Sequence, residues 1–164
     1  MIKPSQLRRL ISDTLDIILP KMKSPEAIEL LMMTAAQESF CGRYLQQQGC
    51  GVALGIFQME PPTYHDLFDK LIRTHKDIND IVSNTFKVSK ETFHISLMGN
   101  IPYQIVLARL QYYRFPESIP NQTNYIDINE WEVALARYYK KYWNTYLGVA
   151  TIKETLRNYD KYAK

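Results

Sequence analysis

Apolar residues at Leu7, Leu10, Ile11, Leu15, Ile18 and Leu19 recur at helical spacing, with Pro4 and Ser5 before them and Pro20 after. That pattern predicts a first helix. Ser24-Pro25 offers an N-cap followed by proline at the first helical position, and Ile28, Leu31, Met32, Ala35 and Ala36 supply the apolar stripe of a second helix ending near Ser39. The character then changes. Gly42, Gly49, Gly51 and Gly55 are four of the six glycines in the chain, which predicts tight turns or close backbone approach.

Pro61-Pro62-Thr63 opens a further helix carrying Leu67, Phe68, Leu71 and Ile72. Residues 76–96 are mixed and polar, and predict short helices or loop. Ile101, Ile105, Ala108, Tyr112 and Phe115 mark a fourth helix, and Pro116 to Asn124 is rich in turn formers. Asp127 or Asn129 caps a fifth, with Trp131, Leu135, Tyr138, Tyr139 and Tyr142 along it. Thr151-x-x-Glu154 is a capping-box pattern for a last helix through Tyr159. Strand-like character is confined to Val52–Phe57. With no repeat or linker, the reading is one mainly α domain over residues 1–164, with a small glycine-rich loop or β element after its second helix.

Composition narrows the class. At 164 residues and 46% apolar the chain can bury a real core, and it is too rich in large apolar residues for disorder. A net charge of +3 is far from the dense basic field of a nucleic-acid binder, so no nucleic-acid partner is expected. No stretch approaches the apolar length of a membrane span, and no signal peptide is evident after Met1, so synthesis in the cytoplasm is expected. Cys41 and Cys50 suit free thiols, or a loop-closing disulfide if the protein works outside the cell. His65, His75 and His94 lack metal-ligand spacing, so neither a metal nor a cofactor is expected. The unusual count is 12 Tyr, a residue suited to half-wet grooves and interfaces.

Glu38 is the leading candidate for chemistry. Helical spacing places it after Ala35, Leu31 and Ile28, so its carboxyl ends an apolar face. Burial there disfavours ionisation and raises the pKa, which suits a general acid. The plainer alternative is a surface glutamate at a frayed helix end. A second candidate is Gly55-Ile56-Phe57-Gln58-Met59, where a turn can present the Gln58 amide to a polar ligand group without adding charge. By itself that run also fits an apolar turn.

Gln37-Glu38-Ser39 followed by Ala53-Leu54-Gly55-Ile56-Phe57-Gln58-Met59-Glu60-Pro61-Pro62-Thr63 resembles the soluble lytic transglycosylase family of the lysozyme superfamily, with its Glu-Ser pair and Gly-x-x-Gln-x-x-Pro-x-Thr block. Gln58 follows Glu38 by 58 − 38 = 20 positions, a family-like spacing. Asn100-Ile101-Pro102 with Ala108 and Tyr113 resembles the next family helix, and Leu135-Ala136-Arg137-Tyr138-Tyr139 resembles the Ala-Tyr-Asn motif with Tyr138 as its tyrosine. The resemblance spans roughly residues 25–145. The chain departs from it at Tyr139, where the family has asparagine, and at Lys140-Lys141-Tyr142, where a Gly-Pro is usual.

The resemblance implies a lysozyme-like fold that cleaves the β-1,4 bond between N-acetylmuramic acid and N-acetylglucosamine in peptidoglycan. Glu38 would act as general acid and then base, giving a 1,6-anhydro product. Ser39, Gly55 and Gln58 would bind the sugar and hold its substituents, Met59 would line the groove, and Tyr138 would orient Glu38. A hydrolytic, goose-type lysozyme outcome stays open, with Glu60, Asp66 and Asp69 as candidate second carboxylates. Peptidoglycan glycan strands are the expected partner, at the cell wall or periplasm. A bacteriophage version is expected, carried with other virion or tail proteins or released at lysis. The alternative is a non-catalytic virion structural or wall-binding protein on the same fold.

Overall fold

A computed structural model of the chain describes residues 1–49, 51–89, 91–145 and 148–164. Among the described residues eight α-helices order it: α1 (Pro4–Ile18), α2 (Pro25–Ser39), α3 (Pro61–Leu67), α4 (Lys76–Phe86), α5 (Phe93–Gly99), α6 (Ile101–Tyr113), α7 (Ile128–Tyr139) and α8 (Ile152–Tyr162). The domain is mainly helical. None of the helices is long and apolar enough to cross a membrane among the described residues.

The architecture centres on α2. Its caps are local: Ser24 Oγ accepts from the Ala27 N–H at 3.1 Å and Pro25 opens the first turn. Such a cap contributes about 1 kcal/mol. The interior is apolar on every side, since Leu30, Leu31, Met32, Met33, Thr34, Ala35 and Ala36 are all fully buried. A helix apolar all round belongs inside, and α2 packs against α1, α6, α7 and α8. Each fully buried Leu or Met contributes about 1.5–3 kcal/mol relative to exposure. The second inner helix is α6, buried from Tyr103 to Ala108 and capped by Asn100, whose Oδ1 accepts from the Tyr103 N–H.

Residues 76–96 resolve into α4 and most of α5. The Val52–Phe57 run is a turn rather than a strand. Leu54 forms isolated β-bridges to Gln46 and to Met59, and Leu54 and Met59 exchange both backbone hydrogen bonds at 3.0 and 2.9 Å. The small loop expected after the second helix is therefore present, closed on itself by these bridges.

The C-terminal tyrosines pack inward. Tyr159 donates to Glu29 Oε2 at 2.5 Å, and Glu29 is also held by Arg8. Tyr162 stacks on Phe40 with ring centroids 4.5 Å apart. Tyr146 and Cys50 lie outside the described residues, so the Cys41–Cys50 pairing considered above does too. Cys41 itself is buried, which pushes its thiol up to about 11.

Candidate functional site

The site begins where α2 stops. Phe40, Cys41 and Gly42 follow Ser39 in left-handed backbone, at φ 53°, 54° and 79°. Two of the three carry side chains, so the turn holds strain of about 1–2 kcal/mol per residue. Its partners determine it: the Cys41 N–H reaches Ala35 O at 2.9 Å, and the Gly42 N–H reaches Ser39 Oγ at 2.8 Å. The chain thus turns sharply away and leaves Glu38 at the end of the helix.

Glu38 is half-buried, and its carboxyl lies deep among protein atoms. Burial raises its pKa to about 7; the Tyr139 hydrogen bond opposes that rise and the charge of Glu60 adds to it. Tyr139 Oη donates to Glu38 Oε1 at 2.5 Å. Tyr139 is fully buried and its own pKa is pushed far above the ordinary tyrosine value, so it stays a proton donor. Tyr44 Oη donates to the Glu38 carbonyl oxygen at 2.9 Å and fixes the helix end from the other side. Among the described residues no group donates to Glu38 Oε2.

The tyrosine beside the acid is thus Tyr139, and this corrects the expectation for Tyr138. Tyr138 Oη donates instead to the Glu117 carbonyl oxygen at 2.8 Å. Consecutive helical residues point about 100° apart. α7 turns Leu135 and Tyr139 inward together, one helical turn apart, and Tyr138 to the side. Tyr138 joins an aromatic wall, 5.9 Å from Tyr112 and 4.6 Å from Tyr142 by ring centroids. Trp143 extends the wall, 5.4 Å from Tyr112 and 6.3 Å from Phe57. In place of the family's Gly-Pro, α7 continues into a π-helical turn over Lys140–Asn144 that carries Tyr142 and Trp143.

Ser39 turns inward. It is fully buried, and its hydroxyl donates to the Ile56 carbonyl oxygen at 2.6 Å. It is a tie between α2 and the glycine loop rather than a sugar contact. Gly55 has φ +79°, and a Cβ there would lie 2.3 Å from the Leu97 carbonyl oxygen. Only glycine fits that contact. Gln58, also left-handed at φ 46°, is buried and donates from Nε2 to the Gly55 carbonyl oxygen at 2.7 Å, while its Oε1 has no partner among the described residues. Met59 is 3% exposed and packs in the core rather than along a surface. Of the expected residues, the structure therefore brings Glu38, Ser39, Gly55 and Gln58 into one assembly. Tyr138 stands on the adjoining wall.

The three candidate second carboxylates separate clearly. Asp66 is held by Arg114 at 2.5 Å and by Lys70 at 2.5 Å, and these partners lower its pKa. Asp69 pairs with Arg73 at 3.0 Å. Glu60 is exposed, and of the three its charge is the one that acts on Glu38. Lys141 is occupied by Glu117, and Lys140 by Asn144 and the Gly148 carbonyl oxygen.

Two surface hollows, one along α8 by Leu156 and Arg157 and one between α1 and α2 by Arg8 and Ile28, lie away from Glu38. Among the described residues no cluster of three or more His, Cys, Asp or Glu is placed to hold a metal ion. Comparison with known proteins gives no match to a family model, to a curated protein or to a solved structure.

Proposed function

We propose that the protein is a peptidoglycan-cleaving muramidase of the lytic transglycosylase kind, with Glu38 as its general acid and base. The observation that carries this reading is a single carboxyl, buried enough to titrate near neutrality and bonded at Oε1 by Tyr139, with no donor to Oε2 among the described residues. A group that titrates at the working pH can both give and take a proton.

In this reading Oε2 of Glu38 donates its proton to the glycosidic oxygen as the bond to the anomeric carbon breaks. The departing N-acetylglucosamine leaves as an alcohol. The acetamido oxygen of N-acetylmuramic acid attacks the anomeric carbon, so no protein nucleophile is needed. Glu38, now a carboxylate, takes the proton of the sugar's 6-hydroxyl while that oxygen displaces the acetamido group. The product is a 1,6-anhydro sugar, and Glu38 is protonated again. Tyr139 stabilises the carboxylate between the two steps, and the half-buried Tyr142 and Trp143 rings, backed by the buried Tyr112, offer faces to the sugars.

A hydrolytic outcome is the second reading. It is favoured by Glu60, whose charge reaches Glu38 and which is free of the ion pairs that occupy Asp66 and Asp69. Digestion of purified peptidoglycan followed by mass spectrometry distinguishes the two. Anhydro ends support the transglycosylase, and reducing ends support the hydrolase.

A further inference from the structure

The Ile56 peptide is gripped from two helices. Its N–H donates to Gln104 Oε1 of α6 at 2.7 Å, and its carbonyl oxygen accepts from Ser39 of α2 at 2.6 Å. Gln104 is 2% exposed. The same amide limits the loop sterically, because a Cβ on Gly55 would stand 2.4 Å from Gln104 Oε1. Among the described residues Gln104 Nε2 has no hydrogen-bond partner. The side chain therefore spends a buried, half-satisfied amide on one task, accepting from the loop. Leaving a buried amide donor unpaired is costly, so an apolar residue would serve α6 packing better than Gln104 does.

We propose that Gln104 is a positioning residue for Glu38, fixing the height of the Gly55–Met59 loop over the end of α2 through Ile56 and Ser39. This rests on Glu38 being the working carboxyl. The line of force is short: Gln104 Oε1 to Ile56 N–H, Ile56 carbonyl to Ser39 hydroxyl, and Ser39 adjoining Glu38. If the loop rises, water reaches the carboxyl and its burial weakens. The sequence motifs point to the loop's own residues; the support comes from a helix nearly fifty positions downstream.

The test compares Gln104→Met, which keeps length and removes the acceptor, with Gln104→Glu, which keeps an acceptor at the same place. Val106→Ala, a buried α6 residue away from the loop, serves as the control for lost stability. Glu38 is titrated by carbon NMR of its carboxyl, a readout independent of activity. Gln104→Met is expected to move the Glu38 midpoint down by about one pH unit toward the ordinary carboxyl range. Val106→Ala is expected to leave it near that of the unsubstituted protein, and Gln104→Glu to keep it raised. With peptidoglycan as substrate, kcat falls about tenfold in Gln104→Met with KM little changed. Amide exchange in the unsubstituted protein supplies a measurement that needs no variant: the Ile56 N–H should be among the protected loop amides.

An unmoved Glu38 midpoint in folded Gln104→Met, an equal shift in Val106→Ala, or a fast-exchanging Ile56 N–H overturns the proposal. A shifted midpoint in a protein that never cleaves glycan upholds the positioning role and defeats the enzymatic reading instead.

Discussion

Tyr139 donates its hydroxyl to Glu38 across 101 positions of sequence, at 2.5 Å. The contact joins the C-terminal ends of α2 and α7. It holds one carboxyl oxygen, Oε1. Because this bond favours the charged form, it holds the Glu38 pKa below the value burial alone would give.

Tyr139→Phe should therefore raise the Glu38 midpoint above about 7. The basic limb of the pH–rate profile moves up with it. On the proposed mechanism the maximal rate should fall about tenfold, since the carboxylate formed mid-reaction would lose its donor. Tyr138→Phe should leave the Glu38 midpoint in place, as its hydroxyl bonds the Glu117 carbonyl oxygen. A carboxyl titration of both variants checks the pair.

A raised carboxyl pKa destabilises the folded state once the group must ionise. Between the unfolded value of 4.5 and the folded value of about 7, the folded protein holds a proton that the unfolded chain has lost. Stability contributed by Glu38 is thus full below 4.5 and declines as pH rises to about 7. Glu38→Gln should remove that decline and gain up to about 3 kcal/mol at pH 8, with no gain at pH 4. Urea unfolding at the two pH values measures it. An inactive variant more stable than its parent is the signature of a residue retained for chemistry.

Gly55→Ala should destabilise the fold by at least about 2 kcal/mol, since φ +79° strains any L side chain and the new methyl meets the Leu97 carbonyl oxygen. Thermal unfolding reads this directly. Gly49→Ala, also at positive φ but with open space around it, should cost less.

Much of this was legible in the sequence, and the exceptions have physical causes. The caps at Ser24 and Thr151 and the stripe of α2 mark their helices because those signals are local. The burial of the Glu38 carboxyl was legible because Ala35, Leu31 and Ile28 at helical spacing place it on an apolar face. Tyr139 was not. Adjacent tyrosines on α7 are equivalent in pattern, and which one points inward depends on how the whole helix is rotated against α2. Ser39, at the end of α2, and Met59, in the glycine loop, both face the core, because the loop folds back onto α2. Gln104 carries no sequence signal, since its importance lies in what a distant loop presents to it.

Glu60 and Asp66 make opposite predictions. Glu60→Gln should lower the Glu38 midpoint by removing a like charge. Asp66→Asn should leave the midpoint unchanged and cost roughly 0.5–1 kcal/mol of stability, because its pairs with Lys70 and Arg114 are partly exposed. Titration and denaturation of the two variants separate an electrostatic neighbour of the site from a surface ion pair.

The central claim is that Glu38 cleaves glycan strands. Purified protein and Glu38→Gln, both shown to be folded, are incubated with purified peptidoglycan, and released muropeptides are counted by mass spectrometry. The account predicts soluble fragments from the unsubstituted protein and at least a thousandfold fewer from Glu38→Gln, on the order of what loss of an essential acid and base costs. No release by the unsubstituted protein, or equal release by Glu38→Gln, would contradict it.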